Sequence, residues 1–258
     1  ENGIYFDITK KNLNEIVNLN KYSNVIILSA ITKLDECVEN KELSNDINID
    51  STKELINMIS KKNIRIIFFS TEFVFDGHKG NYNEIDNTNP INLYGKQKLE
   101  IEKYIEKVSS KYTILRIAKT YSISFNDETL LSKWYKMLFK ENVKSIDCFS
   151  DQVFSPLFVE DLVLIINKII DKKIYGTFNI GGPEQLSRKD CLEIILKTFN
   201  YSENININET KLSKIRSKER WPLNVSFDIS KLNNLLGIRL TKLSEACIKM
   251  KNLHNEQN

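Results

Sequence analysis

Two kinds of hydrophobic pattern alternate along the first half of the chain. Asn24-Val-Ile-Ile-Leu-Ser29, Ile64-Arg-Ile-Ile-Phe-Phe69 and Tyr112-Thr-Ile-Leu-Arg-Ile117 are short, nearly continuous apolar runs. Such runs mark strands buried on both faces of a parallel sheet. Between them the apolar residues recur at helical spacing. Leu55, Ile56, Met58 and Ile59 give an apolar face within 34–61, and Ile101, Tyr104, Ile105 and Val108 share one face over 92–109. Ahead of the first run, Gly3–Phe6 reads as a short strand, and residues 7–18 as a helix entry capped by Asp7 or Thr9. Strand and helix in alternation predict an α/β fold, a Rossmann-like doubly wound parallel sheet. Such sheets bind ligands at the carboxyl ends of their strands, where Ser29–Ala30, Ser70–Thr71 and Ala118 fall.

After residue 120 the alternation loosens. A helix is expected over 128–140, extended chain over 149–156, and a helix over 159–171 with Val159, Leu162, Val163, Ile166 and Ile170 inward. Residues 176–180 read as a strand and Gly181-Gly182-Pro183 as a turn. Ser187 opens a helix with Asp190 in the capping-box position. Extended chain over 224–228, a short helix from about Ser230 stopped at Gly237, and a last helix from about 242, frayed after Lys251, complete the prediction. Residues 1–147 are expected to form the sheet domain and 148–258 a smaller lobe, with an interleaved boundary.

Composition narrows the classes. A net charge of +3 with no basic block interleaved by aromatics argues against nucleic-acid binding. The longest apolar run, Leu162–Ile166, is far short of a membrane span, and no signal peptide is visible, which makes the cytoplasm the expected compartment. Cys37, Cys148, Cys191 and Cys247 are scattered and read as buried free thiols; with only His78 and His254 besides, no metal site or Ser-His-Asp triad is expected. The first residue is Glu1 rather than Met, which leaves open that the chain is a fragment or a partial span of its protein.

Candidate chemistry gathers between Ser70 and Lys98. Tyr94 and Lys98 stand four residues apart on the predicted helix, about 400° of turn, so both project from nearly one face. An ammonium beside a phenol is expected to lower its pKa from about 10 and make it a usable general acid. Thr71, 23 residues before Tyr94 at a strand end, offers a hydroxyl to a substrate oxygen. Taken singly, the pair reads as a surface accident and Thr71 as a strand-end residue satisfying backbone groups. Glu84 and Asp86 read as a solvated loop, and Glu160 and Asp161 as favourable charge at a helix start. Trp221-Pro222 reads as lining for a nucleotide or as a satellite hydrophobic cluster.

Taken together, Ser70-Thr-Glu-Phe-Val-Phe-Asp-Gly77, Tyr82, Glu84, Asp86, Asn89-Pro90, Asn92 and Tyr94-Gly-Lys-Gln-Lys98 resemble the extended short-chain dehydrogenase/reductases, and within them the dTDP-4-dehydrorhamnose reductase group. Asp7-Ile8-Thr9, the segment 24–39, Asn48, and the stretches 151–162, 176–188 and 220–232 extend the likeness over residues 5–250. The resemblance implies reduction of the keto group of a nucleotide-linked 4-keto-6-deoxy sugar by NADPH or NADH, with Thr71, Tyr94 and Lys98 catalytic. It implies Asp7, Ile8, Ser29, Ala30, Ile31, Asn48, Tyr94 and Lys98 at the cofactor, and Val74, Phe75, Gln152, Ser155 and Arg220 at the sugar nucleotide. An acid at Asp7 favours a free ribose 2′-hydroxyl. A homodimer is left open. The chain departs from the group in four places. The opening glycine-rich unit is lacking, since Gly3 is the only glycine before Gly77. Lys119 replaces a tryptophan, Phe154 departs from the usual DQxGxPT element, and Ile31 replaces an aromatic or histidine. Two other functions stay open within the same fold. One is a non-catalytic regulatory subunit, as in methionine adenosyltransferase. The other is a sugar-nucleotide epimerase or dehydratase; Phe73 after Glu72, in place of a second acid, argues against dehydration.

Overall fold

A computed structural model describes residues 3–10, 13–201 and 205–257. After a single helical turn, α1 (Leu13–Ile16), the chain forms β1 (Asn24–Ile27), then α2 (Leu34–Glu39) and α3 (Lys41–Asn45). One π turn over Asp46–Asp50 runs on into α4 (Ser51–Lys61), and β2 (Arg65–Thr71), α5 (Leu93–Val108) and β3 (Tyr112–Ile117) follow. The second half contains β4 (Thr120–Tyr121), α6 (Leu130–Phe139), β5 (Ser145–Phe149), β6 (Val153–Phe154), β7 (Leu157–Phe158), α7 (Val159–Asp171) and β8 (Gly176–Ile180). It closes with β9 (Leu186–Ser187), α8 (Arg188–Phe199), β10 (Asn206–Thr210), α9 (Ser230–Leu236) and α10 (Leu243–Gln257).

The central sheet has the order β1-β2-β3-β8, all parallel. Helices cover both faces. On one, Ile56, Ile59, Ile101 and Ile105 of α4 and α5 pack on Ile66, Phe68 and Ile114; on the other, Ile165, Ile169, Leu232 and Leu236 of α7 and α9 pack on Ile67, Leu115 and Phe178. A third core joins α6, α8 and α10 around Trp134, Tyr135, Leu138, Leu192, Ile195 and Met250. The chain is therefore the expected doubly wound α/β fold, with β8 contributed to the sheet from the second half.

Several local expectations are corrected. Gly3–Phe6 is not a strand: it pairs with none of the described strands, although the outer edge of β1 is unpaired among the described residues. β1 is thus an edge: Ile26 and Leu28 are exposed rather than buried on both faces. Within 7–18, Lys11 and Asn12 lie outside the described residues. Asp7 accepts from the Thr9 backbone N–H (3.0 Å) and hydroxyl (2.7 Å), an Asx turn rather than a helix cap. In α7 the buried line is Leu162, Ile165 and Ile169, while Val159 and Val163 are exposed. The apolar stripe of this helix is wide enough to admit two phases, and the sheet takes the one nearer Ile165. The last helix does not fray at Lys251; it continues to Gln257, held by a 2.6 Å hydrogen bond between the Tyr135 hydroxyl and His254 Nδ1.

Candidate active site

The site is built where β2 stops. The Thr71 hydroxyl accepts from the Phe73 backbone N–H (3.2 Å) and closes a single 3-10 turn over Glu72–Val74. Some 17 residues later Asn92 caps α5, its Oδ1 accepting from the Gly95 N–H at 2.8 Å. Gly95 touches that earlier turn: a Cβ there would lie 2.2 Å from the Phe73 carbonyl oxygen. This close approach carries Tyr94, one residue earlier, to Thr71, and Lys98 follows one helical turn on. All three line one cleft of about 540 Å³ and are nearly enclosed, at 7%, 9% and 3% exposure for Thr71, Tyr94 and Lys98.

Burial dominates the electrostatics. It pushes the Tyr94 phenol well above its usual value; Cys37 and Glu72 add to the rise, and a hydrogen bond with Thr71 opposes it. The expectation that Lys98 would lower this pKa is therefore reversed by desolvation. Tyr94 keeps its proton across the neutral range, the form a general acid requires. Burial likewise pushes the Lys98 ammonium down to about 7, with the Glu102 charge pulling the other way. The Lys98 Nζ lies 4.1 Å from the Phe68 ring centroid and has no hydrogen bond or ion pair among the described residues. Beneath it, Glu102 holds Arg116 through Nε (3.1 Å) and Nη2 (2.8 Å) and accepts from the Ser70 hydroxyl.

Asn48 proves to be a clamp. It is 2% exposed and absent from the cleft lining. Its Oδ1 accepts from the Ile31 N–H (2.8 Å), and its Nδ2 donates to the Ile31 carbonyl (2.9 Å) and to Gln97 Oε1 (2.8 Å). Gln97 in turn donates to Ser44 and Asn45. The π turn, the loop after β1 and the face of α5 adjoining Lys98 are thereby locked together.

The remaining predicted residues divide. Ala30 and Gln152 line the cleft with Thr71, Tyr94 and Lys98. Ser29 is exposed beside Ala30. Ile31 packs against Tyr94 and Cys37. Val74 and Phe75 are fully buried against Tyr82, Ala118 and Phe227 and do not reach the cleft, because the 3-10 turn directs them into that core. Ser155 is also buried, its hydroxyl accepting from the Phe227 N–H (3.0 Å). The Arg220 side chain is exposed; its carbonyl accepts from Asn92 (3.3 Å). Asp7 is engaged by Thr9 and by Lys10 (3.2 Å), and Ile8 packs under the sheet, away from the cleft. Trp221, for which two readings stood open, does both: it lines the cleft, edge-on to Phe73 at 5.9 Å, and packs on the small cluster of Leu34, Cys37 and Tyr94.

Sequence reasoning missed a second polar group in the same wall. Glu72, Lys119 and Arg188 all line the cleft. Glu72 accepts from the Lys119 backbone N–H (3.2 Å), and Arg188 Nε donates to Gln152 Oε1 (2.5 Å). The replacement of tryptophan by Lys119 was the available signal.

Fold and cleft together define an extended short-chain dehydrogenase/reductase. Within that class the chain belongs to the RmlD substrate binding domain family, whose model matches residues 5–254. It is 26% identical over 247 residues to a dTDP-4-dehydrorhamnose reductase of Aggregatibacter actinomycetemcomitans, covering 90% of this chain and 82% of the relative. It is 27% identical over 220 residues to the methionine adenosyltransferase 2 subunit beta of Bos taurus, covering 82% of this chain. The chain spans about 65% of the length of that relative. The crystal structure of a dTDP-4-dehydrorhamnose reductase from Clostridium acetobutylicum superposes with a TM-score of 0.83 at 26% identity, covering 96% of this chain and 87% of the other.

Proposed function

We propose that the protein reduces the keto group of a nucleotide-linked sugar, the reaction class of the dTDP-4-dehydrorhamnose reductases it resembles, with NADPH or NADH as reductant. One observation carries the reading: Thr71, Tyr94 and Lys98 converge in a single cleft at the carboxyl ends of β2 and α5's first turns. The nicotinamide cofactor supplies hydride when bound. Lys98, a buried ammonium with no hydrogen bond or ion pair among the described residues, fits a ribose hydroxyl at its nicotinamide end; Ala30 lines the same cleft. Thr71 holds the substrate oxygen by hydrogen bond, and Tyr94 gives that oxygen its proton as the carbonyl becomes an alcohol. Lys98 in its charged form stabilises the phenolate left on Tyr94. The four cysteines are buried free thiols, in keeping with a reducing compartment such as the cytoplasm. Among the described residues no helix is long and apolar enough to cross a membrane.

The test is NADPH oxidation with a dTDP-4-keto-6-deoxy sugar. Tyr94→Phe is expected to lower the rate about 100-fold or more, the usual weight of a general acid, with substrate binding retained. Equal rates in parent and variant would remove Tyr94 from the chemistry. A second reading, a non-catalytic regulatory subunit, is favoured by the 27% identity to the methionine adenosyltransferase subunit. It predicts that the parent itself oxidises no NADPH.

A further inference from the structure

The cleft carries more positive charge than the proposed proton transfer uses. Arg188 opens α8, and its Nε donates to Gln152 Oε1 at 2.5 Å; Gln152 is 3% exposed, so the guanidinium is fixed by a buried side chain. Its terminal nitrogens have no hydrogen bond or ion pair among the described residues, and neither does Lys119 Nζ. Lys119 reaches the cleft and is accessible from it. The two cations are close enough that the charge on Arg188 depresses the proton affinity of Lys119, after desolvation. In the first turn of α8 the Asp190 N–H is taken by the Ser187 hydroxyl of a capping box.

The surrounding acids neutralise this pair only in part. Glu72 is 6% exposed and makes no ion pair within 4.0 Å among the described residues; burial pushes its carboxyl up to about 7. Glu128, also in the lining, is turned to Lys133 (3.2 Å) and Lys136 (3.6 Å). With Glu72 ionised, Lys119, Arg188 and Glu72 sum to one positive charge, which a single monoanion neutralises. The location says which part of a ligand bears it. Thr71 pairs in register with Ile117, two residues before Lys119, so Lys119 stands just past the neighbouring strand end and lines the same cleft as the hydroxyl that holds the reacting oxygen. A group bound there belongs to the sugar ring rather than to the distant nucleotide.

We infer that Lys119 and Arg188 form a carboxylate-binding subsite for an acidic sugar, so that the preferred ligand is a nucleotide-linked sugar bearing a carboxylate near the reacting carbon. The inference rests on the reductase reading for the position of the sugar, but its test needs no turnover. Calorimetric titration of the full chain with UDP-glucuronate and with UDP-glucose compares two ligands that share base and diphosphate. UDP-glucuronate is expected to bind more tightly. Lys119→Met and Arg188→Met should each weaken it by roughly 10- to 100-fold, the scale of a hydrogen bond to a charged group, and leave UDP-glucose unchanged. Lys119→Arg, which keeps the charge, should retain the preference and guards against a merely misfolded variant. Equal losses for both ligands would assign the cations to the diphosphate and overturn the inference, as would binding of neither ligand or of both alike. Absence of NADPH oxidation by the parent protein, with this preference intact, would instead overturn the reductase reading alone.

Discussion

Lys98 makes the protein's stability depend on pH in a direction that can be worked out. Its ammonium is 3% exposed and has no ion pair among the described residues, and its pKa falls from the ordinary 10.5 to about 7. Between those values the unfolded chain holds a proton that the folded one has released. Stability therefore rises with pH, from about 7 towards 10.5, because the slope follows the excess of protons bound by the unfolded state. At 1.36 kcal/mol per pH unit, the whole interval corresponds to roughly 4–5 kcal/mol, and the accessible part between pH 7 and 9 to about 2–3 kcal/mol. The cysteines work against this at higher pH, since burial pushes Cys37 and Cys148 up to about 11 and Cys247 to about 12. Their contribution must be subtracted. Lys98→Met does so: it keeps the chain length and removes only the titrating group. Urea denaturation of both proteins at pH 7 and pH 9 is the measurement. Relative to Lys98→Met, the parent should gain about 2–3 kcal/mol across that step, and the variant should be the more stable protein at pH 7. Parallel pH dependences in the two proteins would refute the argument that burial discharges this lysine.

Two further substitutions probe the supports of the site. Glu102→Ala leaves Arg116 as an uncompensated buried charge, so a loss of about 3–5 kcal/mol is expected by denaturant unfolding; a loss under 1 kcal/mol would mean that water reaches Arg116. Asn48→Ala strands the Ile31 N–H and Gln97 Oε1, at an expected cost of about 2–4 kcal/mol. Amide exchange at Ile31 should accelerate in the same variant, and unchanged protection there would dismiss the clamp.

Much of this was legible in the chain because local rules and tertiary demands agreed. The strands β2 and β3 announce themselves by continuous apolar runs, Ser187 and Asp190 by capping chemistry, and Gly237 by its left-handed backbone at the end of α9. The reading went astray where neighbours decide. The β1 run looks like an interior strand, yet the described sheet leaves it at an edge. In α7, valines and isoleucines are interchangeable to a periodicity argument, and only the opposing Leu115 and Phe178 choose between them. Val74 and Phe75 follow Thr71 closely enough to suggest a shared cleft, but one 3-10 turn separates hydroxyl from core. Glu72, Lys119 and Arg188 lie more than 100 residues apart from end to end, and no spacing rule unites them.

The contact at Gly95 acts as a gauge. With a hydrogen in place of a methyl, the backbone of α5 reaches to within what would be 2.2 Å of a Cβ from the Phe73 carbonyl. Any side chain would lift the first turn of the helix by the better part of an ångström or more. Tyr94 sits in that turn, while Thr71 belongs to the rigid end of β2. The distance between the Tyr94 phenol and the Thr71 hydroxyl is thus set neither by the tyrosine nor by the threonine, but by the smallest residue in the segment. A change in the spacing of the two side chains in this scaffold would have its simplest mechanical adjustment there, outside Thr71 and Tyr94 themselves.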